Sequence, residues 1–178
     1  MPASPIHPGE ATADLCDRLG ALARVCDLPL HSYGGLRALA APMACVQSFE
    51  DAGPLRALLE TPGQGRILVV DGGGSRRVAL LGERMAQLGQ RNGWRGVIVH
   101  GAVRDVAALA QLDFAVLALG AVPQRATGTA HGGAQPQLDF AGVTLHGDDW
   151  AAFDADGLVF VPARQRGVAT ENQAMHMY

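Results

Sequence analysis

The sequence predicts a single mixed α/β domain built on parallel strands, and three observations carry that reading. Apolar runs at 67–70, 97–100 and 114–119 are too short for buried helices and read as strands covered on both faces. Helical patterns lie between them. The resulting strand–helix–strand–helix–strand order from 67 to 119 is that of parallel pairing through right-handed crossovers. The chain has 178 residues, 48% of them apolar, which suffices for one core that hides roughly two-thirds of the unfolded surface.

Residues 1–11 read as a loosely held tail rich in proline and small residues. A short helix follows over 12–20, with Thr12 as its cap, Leu15 and Leu19 four apart, and Gly20 to end it. A strand near 43–47 precedes a short helix from Pro54, proline being favoured in a first turn. The strand at 67–70 empties into Asp71-Gly72-Gly73-Gly74-Ser75. A helix over 82–92 turns Met85 and Leu88 inward and stops at Asn92-Gly93. After the strand at 97–100 come a loop over 101–105 and a short helix to about Leu112. Beyond the third strand lies a polar loop at 124–137. Short β segments at 142–145 and 158–161 flank turns at Gly147-Asp148-Asp149 and Asp154-Ala155-Asp156-Gly157. Residues 163–178 read as a second tail, leaving a domain over 12–162.

Composition excludes several classes. A net charge of -3 argues against a protein that holds nucleic acid or an anionic membrane by charge. All 14 basic residues are arginine, so no lysine is present for a Schiff base, a pyridoxal phosphate link or a Walker-type phosphate site. Cys16, Cys26 and Cys45 match neither a zinc motif nor a disulfide framework and are expected reduced and packed. No apolar run is long enough for a membrane span, and the N-terminus lacks a signal-peptide pattern; the expectation is a soluble cytoplasmic protein.

Ligands of open α/β sheets bind beyond the carboxyl ends of parallel strands, and two loops leave such ends here. In the first, Gly72 to Gly74 reads as a tight path needing positive φ, without the spacing of a nucleotide loop. Gly82-Glu83-Arg84-Met85 opens the next helix, either as a backbone N–H site for a carboxylate or as an ordinary helix start. The second loop ends in Arg104-Asp105. Arginine offers a fork for a carboxylate or enolate, and the neighbouring carboxylate can hold a divalent cation. Alternatively Asp105 caps the following helix and Arg104 is a solvated surface residue. Six histidines without an i,i+4 pair give no histidine zinc site, Asp154-Ala155-Asp156-Gly157 reads as a turn, and Trp94 and Trp150 read as space fillers.

The segments ILVVDGGGSRRVALLGERMA, NGWRGVIVHGAVRDV, LDFAVLALGAVP, FAGVTLHGDDW and DADGLVFVP resemble the RraA-like family. That family holds class II 4-hydroxy-4-methyl-2-oxoglutarate aldolases and the regulator of ribonuclease activity A. TADLCD, the Tyr33-Gly34-Gly35 step and SFED extend the likeness over about residues 12–162, and its most specific part is the GERM segment followed 22 positions after Gly82 by Arg104-Asp105. The resemblance implies a swivelling β/β/α sandwich like the phosphohistidine domain. It also implies a homotrimer, or a dimer of trimers, with sites between subunits. For the aldolase branch it implies a divalent metal, magnesium first and manganese second, on Asp105. Arg104 would then bind the pyruvyl group, and the backbone of Gly82, Glu83, Arg84 and Met85 would take its carboxylate.

A retro-aldol cut beside a 2-keto acid creates a pyruvate enolate, and without lysine the electron sink is a metal plus a cation such as Arg104. The same enolate arises when oxaloacetate loses carbon dioxide. The sequence reading is therefore a metal-dependent lyase acting on small 2-keto acids, with no residue assigned as base. The alternative is an inhibitor that acts on ribonuclease E by protein contact.

Overall fold

The computed structural model describes residues 4–163. Residues 1–3, and 164–178 of the expected C-terminal tail, lie outside the described residues. In chain order the elements are α1 (Thr12–Leu19), a 3-10 turn (Gly20–Leu22), β1 (Arg24–Val25), β2 (His31–Ser32), β3 (Leu39–Gln47), α2 (Gly53–Leu59), β4 (Ile67–Asp71) and β5 (Ala79–Leu81). They continue as α3 (Glu83–Arg91), β6 (Gly96–Val103), α4 (Val106–Leu109), β7 (Ala115–Ala121), β8 (Gln137–Phe140), β9 (Val143–His146), β10 (Trp150–Phe153) and β11 (Leu158–Val161). No helix among the described residues is long and apolar enough to cross a membrane.

The expected parallel unit forms the centre, with β3, β4, β6 and β7 side by side and all parallel. β10, β11 and β1 extend one edge antiparallel, and β2 closes the other. Alternation along the strands splits the core. Val46, Leu68, Val70, Val97 and Val99 pack against Leu55 and Leu59 of α2, Ala86 of α3 and Leu109 of α4. Met43, Cys45, Val69 and Ile98 face Leu138 and Phe140 of the β8–β9 hairpin and Phe153 and Phe160 of β10 and β11. The result is a β/β/α sandwich, as the resemblance implied. Each fully buried leucine or isoleucine contributes about 1.5–3 kcal/mol, so the two packed faces fix the register on which the site depends.

Several local expectations change. Thr12 is the first helical residue rather than the cap, and its N–H and hydroxyl donate to the Asp154 carboxylate at 2.8 and 2.7 Å. The α1 cap therefore comes from the distant β10–β11 turn. Burial of Asp154 opposes ionisation, but these bonds prevail and hold its carboxyl below the usual value. Within the segment read as a loose N-terminal tail, Ile6 is buried beside Leu15, Ala152 and Val159. Residues 101–103, expected as loop, are strand, because β5 takes the place beside β6 that β4 vacates. β1, β2, β5, β8 and β10 were not foreseen.

Candidate active site

Both loops singled out in the sequence end at the same edge of the sheet. β4 and β6 are adjacent, with Asp71 opposite His100, and β5 pairs with the last residues of β6. The glycine-rich turn uses its donors internally. Gly73 N–H donates to the Asp71 carboxylate, Gly74 N–H to the His100 carbonyl and Ser75 N–H to the Gly72 carbonyl. Gly73 and Gly74 have φ of 66° and 74°, as expected, but Gly72 does not share that conformation. It is glycine because a Cβ there would lie 2.7 Å from the His100 carbonyl oxygen. The loop is a closed turn and offers no phosphate cradle.

The second loop meets the start of α3. Arg104 N–H donates to the Leu81 carbonyl at 2.9 Å, which docks the end of β6 on the end of β5. Asp105 sits at the N-cap position of α4 with φ 59° and ψ 38°, a left-handed conformation that aspartate tolerates better than most residues. Its carbonyl accepts the N–H groups of Ala108 and Leu109, yet its side chain makes no cap bond to α4. Instead one carboxylate oxygen, Oδ2, accepts the Glu83 N–H at 3.0 Å. The α3 N-terminus thus holds the Asp105 side chain through the Glu83 N–H, a contact that neither reading of the sequence named.

Gly82 permits this contact. A Cβ at that position would lie 2.5 Å from Asp105 Oδ2 and 3.1 Å from Arg104 Cγ. The backbone of Gly82 is extended, with φ −136°, so space rather than conformation demands glycine. Arg104 Nε stands 3.9 Å from Asp105 Oδ2, and the two side chains keep 37% and 42% of their exposure, leaving both open to a ligand. Glu83 turns its carboxylate to Gln87 at 3.1 Å. With the Glu83 N–H engaged, the N–H groups of Arg84 and Met85 are those that a helix first turn leaves without an intrahelical acceptor. The predicted residues Gly82, Glu83, Arg84, Met85, Arg104 and Asp105 therefore converge on one rim.

Among the described residues no group of three histidine, cysteine or carboxylate side chains is arranged as a metal site. A single carboxylate with only one oxygen bonded to the helix suits magnesium, which keeps several waters and takes only one or two protein carboxylates. The donors are all oxygen, in keeping with a hard cation. Elsewhere, Trp94 is buried and bonds the Thr61 carbonyl at 3.0 Å, and the cysteines are free. Burial, helped by Asp149, pushes the Cys45 thiol up to about 12, so it is inert.

A family model for RraA-like proteins (Aldolase/RraA) matches residues 12–160. A protein of Halorhodospira halophila named "Putative 4-hydroxy-4-methyl-2-oxoglutarate aldolase" is 46% identical over 152 residues, spanning 83% of this chain and 93% of its own. The solved structure titled S-adenosylmethionine: 2-dimethylmenaquinone methyltransferase from Geobacillus kaustophilus is similar with a TM-score of 0.82 and 43% identity, covering 86% of this chain and 95% of that one. The RNA-processing inhibitor RraA from Thermus thermophilis also has a TM-score of 0.82, with 36% identity and coverage of 90% and 97%. The match across nearly the whole described domain, on the fold and the loops built above, makes the chain a member of the RraA-like family.

Proposed function

We propose that the chain is a divalent-metal-dependent lyase that releases pyruvate from 4-hydroxy-4-methyl-2-oxoglutarate and decarboxylates oxaloacetate. The observation that carries the reading is the Asp105 carboxylate, held on the α3 N-terminus by one oxygen beside an unblocked Arg104. The aldolase relative at 46% identity supports the reaction class.

In this account the substrate carboxylate lies against the N–H groups of Arg84 and Met85, where the helix dipole favours an anion. Arg104 points its guanidinium at the 2-keto oxygen, whose negative charge grows as the C3–C4 bond breaks and its electron pair passes into the pyruvate enolate. The C4 fragment leaves as a second pyruvate once the 4-hydroxyl has lost its proton, and the enolate becomes the first pyruvate by taking up a proton at C3. Magnesium or manganese, held by Asp105, would supply Lewis-acid polarisation of that oxygen. No described residue is assigned the 4-hydroxyl proton. The proposed homotrimer, or dimer of trimers, sets sites between subunits. A cytoplasmic location belongs to the same proposal.

Pyruvate release is the test, measured from both substrates with magnesium and with chelator. The account expects activity with magnesium and its loss with chelator. Turnover that survives the chelator contradicts it. A second reading is favoured by the likeness to the RNA-processing inhibitor RraA: inhibition of ribonuclease E by protein contact. Slowed ribonuclease E cleavage supports that reading, and unchanged cleavage at saturating protein dismisses it.

A further inference from the structure

We propose that Arg76 binds the second carboxylate of a dicarboxylic 2-keto acid seated at Arg104 and Asp105, and so selects such acids over monocarboxylates; this rests on the lyase reading above. The argument begins with the path of the chain between β4 and β5. Both strands lie on the same side of β6, since Asp71 pairs with His100 and Ala79 with Ala102. The intervening residues swing across β6 towards β7. Ser75 passes Gly101 with its carbonyl oxygen 3.3 Å from where a Cβ would stand. Arg76 then lies along Gly120 of β7, with Nε, Cδ and Cζ at 3.6, 3.8 and 3.8 Å from the corresponding Cβ position. Two glycines on neighbouring strands leave room for this crossing.

The two consecutive arginines of the loop have different fates. Arg77 is paired with Glu50 at 2.7 Å, and the Ser75 hydroxyl donates to the same carboxylate at 2.6 Å. Those contacts anchor the loop. Arg76 is exposed and has no hydrogen bond or ion pair among the described residues, so its charge stays available while Ser75 and Arg77 on either side hold the loop. Gly120 is the partner of Ala102, and Arg104 is the residue that follows the end of β6 at Val103. Two residues at about 3.3 Å each and one strand spacing of about 4.8 Å set Gly120 and Arg104 about 8 Å apart along the sheet, a span that two arginine side chains can bridge with Arg104 on the 2-keto oxygen and Arg76 on the distal carboxylate of one diacid. A guanidinium matches a carboxylate with two parallel hydrogen bonds.

The test compares two reactions in the full-length chain with magnesium. Exchange of the pyruvate methyl protons for deuterium, followed by NMR, needs only the pyruvyl site. Cleavage of 4-hydroxy-4-methyl-2-oxoglutarate, whose distal carboxylate is retained in the product, needs that carboxylate as well. For Arg76→Gln the expected result is a rise in KM for 4-hydroxy-4-methyl-2-oxoglutarate of roughly tenfold or more, the loss of one charge-assisted pair, with its kcat and pyruvate exchange near those of the parent. Arg76→Lys, which keeps the charge, is expected to recover most of the KM and also guards against a folding defect. An unchanged diacid KM, or exchange and cleavage falling together in a folded variant, overturns the assignment of Arg76. A parent protein that neither exchanges nor cleaves overturns the lyase reading, and the Arg76 proposal falls with it.

Discussion

Asp51 and Asp105 are both aspartates in turns at the carboxyl edge of the parallel sheet, and they are held in opposite ways. Asp51 accepts bonds from Gly53 N–H at 2.7 Å, from the Thr127 and Thr129 hydroxyls at 3.0 Å each, and from Ala130 N–H at 3.1 Å. Asp105 accepts one, from Glu83 N–H. A carboxylate whose lone pairs are filled by its own chain is a staple, here fastening the 127–130 segment over the start of α2. One with a single internal donor, set in a left-handed turn beside an arginine, has capacity left for a ligand. The difference shows why the type of residue at a loop tip says less than the number of donors the fold brings to it.

The largest effect expected from this contrast is at Asp105. Asp105→Ala should lower magnesium-dependent pyruvate release by at least a hundredfold while lowering stability by about 2 kcal/mol, one lost cap plus alanine's strain in the left-handed turn. Next is Gly82→Ala, whose Cβ would stand 2.5 Å from Asp105 Oδ2. Displacing that carboxylate by about 1 Å should reduce kcat/KM by roughly a hundredfold, with the fold retained by circular dichroism. Asp51→Ala should do the reverse, leaving kcat near the parent value and lowering unfolding free energy in urea by about 1–3 kcal/mol as its donors lose their partner.

The smallest effect is one of pH. The Gly53 N–H foremost, then the Ala130 N–H and the Thr129 and Thr127 hydroxyls, outweigh burial and hold the Asp51 carboxyl down to about 2. A depressed folded-state value means that its stabilisation is complete above the ordinary value near 3.8 and is lost as pH falls through about 2. Urea midpoints measured between pH 5 and pH 2 should therefore fall less in Asp51→Ala than in the parent chain. Equal slopes would remove Asp51 from its role as a staple.

The central sheet was legible because strands buried on both faces leave bare apolar runs, as at Ile67–Asp71. The flanks were not. β1 and β2 have two residues each and exist only through pairing with β11 and β7, a long-range contact that no local pattern records. β3 begins at Leu39 rather than near 43, since residues 39–42 pair with β10 before the strand turns to β4 at Met43, a long-range pairing of the same kind. The residues of the candidate site were all visible in the sequence, but not the bond between them, since Asp105 and Glu83 are 22 positions apart. One signal was present. α3 opens on Gly82 with no serine, threonine or aspartate of its own at the cap, so its N-terminus needed an acceptor from elsewhere.

The most direct measurement is a manganese titration of the parent chain and of Asp105→Asn, followed by water-proton relaxation. Asparagine tolerates the left-handed turn and still offers an oxygen to the Glu83 N–H, so the loop is preserved while the charge that holds the cation is removed. The account predicts saturable binding of one manganese per chain in the parent, strengthened by pyruvate, and loss of that binding in the folded variant. Equal manganese binding by the two proteins would contradict it.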